Sequence, residues 1–275
     1  MTAATAPAPV RSRNRSMLDT MVSRRWPVTL VFGVFLLAAW EIGTATKVLP
    51  DAVLGPSTIA GAVAEFVASG ELPGLLGPSL QRSFAGYAIG AGLGAFVGLL
   101  AGTVKAVEDF IELPVSFTYP LPKIALFPVF AVWLGFTDLT RVLVIALACF
   151  YPVYLNALSG TRAIDPNLIW VARNAGASKV RTFLQVVVPA ALPRTFTGLQ
   201  ISLAISFILL FATETIGFSN GLAADLFQSF QDGRLDRMYA GIAILAIVGF
   251  LANSALVGIT KRLIRGTTIG GAQHG

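Results

Sequence analysis

Charged side chains make up only 12% of the 275 residues, and cysteine and histidine occur once each. An ordinary soluble domain carries about 25% charged residues. A soluble chain of this length would lack the charge to cover its surface, so the deficit points to lipid as solvent. A single cysteine, Cys149, excludes a disulfide within the chain, and its apolar surroundings read as those of a small buried hydrophobe. The only histidine, His274, is the penultimate residue. Metal clusters and Cys/His or Ser/His catalysis therefore lack their parts. No Gly-Lys dipeptide occurs, which removes the phosphate-binding P-loop of nucleotide hydrolases. The net charge of +6 does not mark a nucleic-acid binder, because the basic residues fall between apolar runs rather than on one polar face.

What the chain has in abundance is apolar length, with 55% hydrophobic residues. A membrane helix needs about 20 mainly apolar residues. Six stretches qualify: Val28–Gly43, Ser83–Thr103, the short proline-rich Leu121–Phe136, Leu139–Leu158, Phe196–Gly217 and Tyr239–Ile259. The fold class expected is an all-α, polytopic membrane helical bundle. With the N-terminus inside, the inner segments hold Arg11, Arg13, Arg15, Arg24, Arg25, Lys105, Arg162, Arg173, Lys179, Arg181, Arg194, Lys261, Arg262 and Arg265. The outer segments hold only Lys47, Arg82, Arg141, Arg234 and Arg237. This inside excess predicts that both termini are cytoplasmic. The first apolar stretch exceeds a signal-peptide core and has no A-x-A site close behind it, so it reads as a retained helix. The expected organisation is a disordered basic tail over 1–25, one membrane domain over 26–265 and a flexible tail over 266–275.

Within the spans, Gly86, Gly90, Gly94, Gly98 and Gly102 recur every fourth residue, a helix-packing stripe. Pro120, Pro122 and Pro128 break the backbone ladder, so that segment should face the interior of the bundle. Ser202, Ser206 and Thr213 share a helix face, followed by Glu214. An acid in a span is a functional candidate, and a structural hydrogen bond is the alternative. Tyr119, Ser202, Ser206, Thr213 and Glu214 are the candidate lining of a translocation path. In the long outer loop from Ala45 to Gln81, Ser57 is a candidate cap for a helix through Ile59, Val63, Phe66 and Val67.

The inner segment DPNLIWVARNAGASKVRTFLQVVVPAALP, residues 165–193, is the most informative. Asp165-Pro166 signals a helix start, Gly176 allows a turn, Ser178 caps a second short helix, and Pro189 is expected to stop it. Arg173, Lys179 and Arg181 mark its solvent side. Such a compact knob implies a partner that receives it.

This segment resembles the signature loop of binding-protein-dependent ABC importer permeases, with Ala172, Gly176, Ala177, Phe183, Pro189 and Pro193 at matching positions. Trp170 stands where that family usually has a glutamate, and Val171 replaces its first alanine. LPDAVLGPSTI, YPLPKIALFPVFAVWLGF, FYPVYLNALSGTRAIDP and ETIGFSNGL are similar to the nitrate, sulfonate and taurine branch. The resemblance implies a type I ABC importer permease fold of about six transmembrane helices in the bacterial inner membrane. It implies a second permease copy, two cytoplasmic ATPase subunits that hold ATP and Mg, and an extracytoplasmic binding protein. It also implies that this chain carries no cofactor and is not itself an enzyme. Residues 162–194 would form the coupling loop, with Ala172, Arg173, Gly176, Ala177, Ser178, Lys179 and Phe183 at the ATPase. A secondary transporter or channel is the alternative. It would require intramembrane charges, for which only Glu214 and Lys123 offer themselves.

Overall fold

A computed structural model describes residues 25–216 and 220–265. Both expected tails lie outside these residues, apart from Arg25, which begins the first helix. Among the described residues, every regular element is helical. The contacts divide the chain into two compact units, one up to Ala60 and one from Gly61 on.

The first unit holds α1 (Arg25–Ala45) and the start of α2 (Pro56–Ala68). The Glu41 carboxylate accepts hydrogen bonds from the Ser57 hydroxyl (2.5 Å) and N–H (3.0 Å). Ser57 therefore does not cap α2 as expected. Pro56 opens the helix instead, since the first turn needs no donor from it.

The second unit is built from α3 (Leu72–Ala101), α4 (Lys105–Thr118), a 3-10 turn (Lys123–Leu126), α5 (Phe127–Leu134) and α6 (Asp138–Arg162). After these come α7 (Pro166–Asn174), α8 (Lys179–Thr182), a π-helical turn (Phe183–Val187), α9 (Val188–Thr215), α10 (Leu222–Gln231) and α11 (Leu235–Arg265). Among the described residues, five helical stretches are long and apolar enough to cross a membrane, or six if α4 and the 3-10/α5 segment are one bent span.

In the second unit α6 is central. The glycine stripe of α3 lies directly on it. A Cβ on Gly90 would sit 2.0 Å from the Ala146 carbonyl oxygen. On Gly94 and Gly98 it would sit 2.5 Å from the carbonyls of Phe150 and Tyr154. On a neighbouring face of α6, a Cβ on Gly198 of α9 would fall 2.8 Å from the Pro152 carbonyl. In lipid, helices gain nothing from burying apolar surface against each other, so close backbone approach supplies the attraction.

The structure corrects several expectations. The outer loop is shorter, because α3 begins at Leu72 and carries Arg82 inside it. Arg82 and Arg141, expected in outer segments, are both buried within long helices. The third span is not Leu121–Phe136. Instead α4 meets the 3-10/α5 segment at 89° across Pro120 and Pro122. Only Phe127 and Ala131 of α5 are buried, while Val132 and Trp133 are exposed. Pro189 does not stop a helix. The π turn lets Val188 N–H reach the Phe183 carbonyl, so the chain runs on from Lys179 to Thr215 as one apolar span. Pro189 then occupies the first turn of α9, where its missing N–H costs no bond.

If backbone proximity holds α3 to α6, Gly90→Ala should destabilise the protein by about 1–3 kcal/mol through overpacking. Gly92→Ala, which meets nothing within 4 Å, should keep stability or raise it by up to about 1 kcal/mol. The thermal midpoints of the two variants in detergent separate these outcomes.

Candidate functional site

The loop between α6 and α9 has the helix–turn–helix form read from the sequence. The Asp165 carboxylate accepts from Asn167 N–H at 2.9 Å and caps α7. The Ser178 hydroxyl accepts from Arg181 N–H at 3.3 Å and caps α8. Between them Gly176 adopts φ +82°, a left-handed conformation that a side chain resists. Arg173, Gly176, Ser178 and Lys179 are exposed, while Ala172, Ala177 and Phe183 are half-buried. The sequence reading stressed the basic side chains. The structure adds an exposed apolar surface of Leu168, Trp170, Val171 and Val180 on the same loop. Behind it lies a cavity of about 420 Å³, lined by residues that include Leu100, Ile169, Phe183 and Val187.

The candidate path residues do not converge. Ser202, Ser206, Thr213 and Glu214 share the buried face of α9, and their polar atoms are taken up inside the protein. The Ser202 hydroxyl donates to the Cys149 carbonyl at 2.7 Å, and the Cys149 thiol donates to the Ser202 carbonyl at 3.4 Å. The Ser83 hydroxyl donates to that of Ser206 at 3.1 Å, and Thr213 donates to the carbonyl of Leu209 at 2.8 Å. Tyr119 lies elsewhere, half exposed at the bend between α4 and α5, with its ring 5.8 Å from that of Tyr151.

Glu214 is the acceptor of a buried knot that sequence reasoning missed. Its carboxylate takes hydrogen bonds from Arg82 Nη1 (2.7 Å), Ser79 Oγ (2.8 Å) and Ala223 N–H (3.1 Å). Leu222 N–H in turn donates to Ser79 Oγ at 2.9 Å. Carboxylate and hydroxyl together therefore close the N-terminus of α10, where a negative charge is favoured. The Arg82 guanidinium also reaches Asp138 (2.7 Å) and both oxygens of Asn220 (2.7 and 3.0 Å). Gly221 has to be glycine, because a Cβ there would lie 2.4 Å from the Glu214 carboxylate. A signal for the knot was present in the sequence. The glycine face of α3, continued one turn or two upstream, passes through Ser83, Arg82 and Ser79. Nearby, Arg237 joins α10 to the start of α3 through Asp225 (2.9 Å) and Glu71 (2.7 Å).

Residues 90–268 match the family model described as the binding-protein-dependent transport system inner membrane component. The chain belongs to that family. The permease is 33% identical to the putative aliphatic sulfonates transport permease protein SsuC of Bacillus subtilis, over 87% of each chain. It is 30% identical to the taurine transport system permease protein TauC of Escherichia coli, over 91% of this chain and 95% of that one. It shares its fold with an amino acid ABC transporter chain of known crystal structure, at a TM-score of 0.52 and 15% identity. That match covers 74% of the permease and 96% of the other chain. The expected type I importer permease fold and multi-pass inner-membrane character follow. ATP hydrolysis in such systems belongs to separate subunits.

The knot yields a graded prediction. Removing one partner of a buried ion pair costs about 3–5 kcal/mol, so Glu214→Gln should lower the thermal midpoint sharply. Asp138, whose side chain is 65% exposed, should matter less, with Asp138→Asn costing under about 1 kcal/mol. Equal midpoints for the two variants would contradict the arrangement.

Proposed function

We propose that this permease forms, with a second copy of itself, the path by which a small anion enters the cell. The candidates are a sulfonate, taurine or nitrate, delivered by an extracytoplasmic binding protein. Two cytoplasmic ATPase subunits, carrying ATP and Mg, would supply the energy. The observation that carries this reading is the α7–Gly176–α8 loop. It is exposed on the outside of the unit, partly apolar, and continuous through the π turn with α9. A helix–turn–helix of this kind transmits force when a partner grips it. Ala172, Arg173, Gly176, Ala177, Ser178, Lys179 and Phe183 form the docking element in this proposal, and both termini share its cytoplasmic side. Trp170 replaces an ionic contact with an apolar one. Tyr119 stands on the path. Ser202, Ser206, Thr213 and Glu214 act on transport by holding α9 to α3 and α6 rather than by touching solute.

The test is uptake in proteoliposomes containing the whole importer. Gly176→Val forces a β-branched residue into the left-handed region. It should leave membrane insertion intact, abolish solute uptake and disconnect ATP hydrolysis from it. Normal uptake in the Gly176→Val importer would refute the docking role.

A further inference from the structure

The bend between α4 and the 3-10 turn poses a problem that Lys123 solves. A helix that ends leaves its last carbonyls without partners, and within a membrane no water supplies donors. Lys123 Nζ donates to the carbonyls of Thr118 (3.0 Å), Tyr119 and Leu121 (2.9 Å). The ammonium lies 4.2 Å from the centre of the Tyr151 ring and 5.4 Å from that of Tyr119. The Tyr151 hydroxyl donates to Thr118 Oγ1 at 2.8 Å, which ties the bend to α6.

Among the described residues, Lys123 makes no ion pair, whereas Arg82 faces two carboxylates. Its positive charge is therefore held by dipoles and rings and meets no carboxylate among the described residues. The bend is also open. No residue of α4 is buried, and Tyr119 is 53% exposed. Irregular backbone at membrane depth is not left against lipid tails, so it lines protein or a water-filled cavity. An uncompensated ammonium on a water-filled cavity attracts anions and repels cations.

We propose that Lys123, framed by Tyr119 and Tyr151, is the charge-selecting point of the translocation path, drawing the negatively charged group of the solute by its field while its three N–H groups stay on the bend carbonyls. This rests on the reading of the protein as an anion importer. The uncharged Lys123→Gln side chain keeps two donors for the three bend carbonyls but loses the charge. In proteoliposomes holding the complete importer, with taurine, an alkanesulfonate and nitrate as probes, the variant should still hydrolyse ATP. Its uptake should fall about tenfold per ATP consumed, the scale of one unit charge acting at close range. Lys123→Arg should restore uptake. Tyr119→Glu, at a half-exposed position, should set a carboxylate beside the ammonium and lower uptake as much, even if Lys123→Gln fails to assemble. Unchanged uptake in Lys123→Gln, or in Tyr119→Glu should the former not assemble, would overturn the assignment alone. A wild-type importer that carries none of the three anions would overturn it together with the proposed function.

Discussion

The second unit depends on one constraint, the contact of backbone with backbone along α3 and α6. Lipid tails are as apolar as leucine, so two helices in a membrane are not driven together by burial. They hold where small residues let peptide groups approach, and the α3 glycines bring Cα atoms onto the carbonyls of Ala146, Phe150 and Tyr154. With one face of α6 taken by α3, an adjacent face accepts α9 through Gly198 and Ala191, so that α3 and α9 also touch. This leaves α6 the most buried of the candidate spans and α11 among the least.

Packing of this kind fixes distance better than register, because a glycine stripe looks alike at every turn. The polar atoms set the register. The Ser83–Ser206 and Ser202–Cys149 contacts pin α9 at mid-length. The Arg82–Glu214 pair pins its end, along with α10 and the start of α6. A buried ion pair adds little net stability over an apolar pair of equal shape, but a slip that separates its members leaves an isolated charge. It thus penalises wrong alignments more than it rewards the right one.

Much of this was legible in the sequence. The glycine period, the caps Asp165 and Ser178, and the turn at Gly176 are local signals, and each sits where its chemistry requires. The misreadings came from non-local causes. Arg82 and Arg141 were assigned to outer segments because charge normally ends a span, and no local rule reveals that Glu214 or Asp138 will meet them. Pro189 was read as a stop because the π turn that relieves it depends on five residues acting together. The 89° bend was hidden because Lys123 supplies the missing donors from its side chain. Ser202, Ser206 and Thr213 were correctly placed on one face, but a helical wheel does not reveal which backbone and side-chain partners their hydroxyls will meet.

The lone cysteine has a practical meaning. Cys149 is fully buried between α6 and α9, its thiol directed at the Ser202 carbonyl. To a water-borne thiol reagent the natural permease is blank. A cysteine introduced at Tyr119, Trp170 or any other exposed position would report its own accessibility with no background from the rest of the chain. Opening and closing of the protein could then be followed one residue at a time.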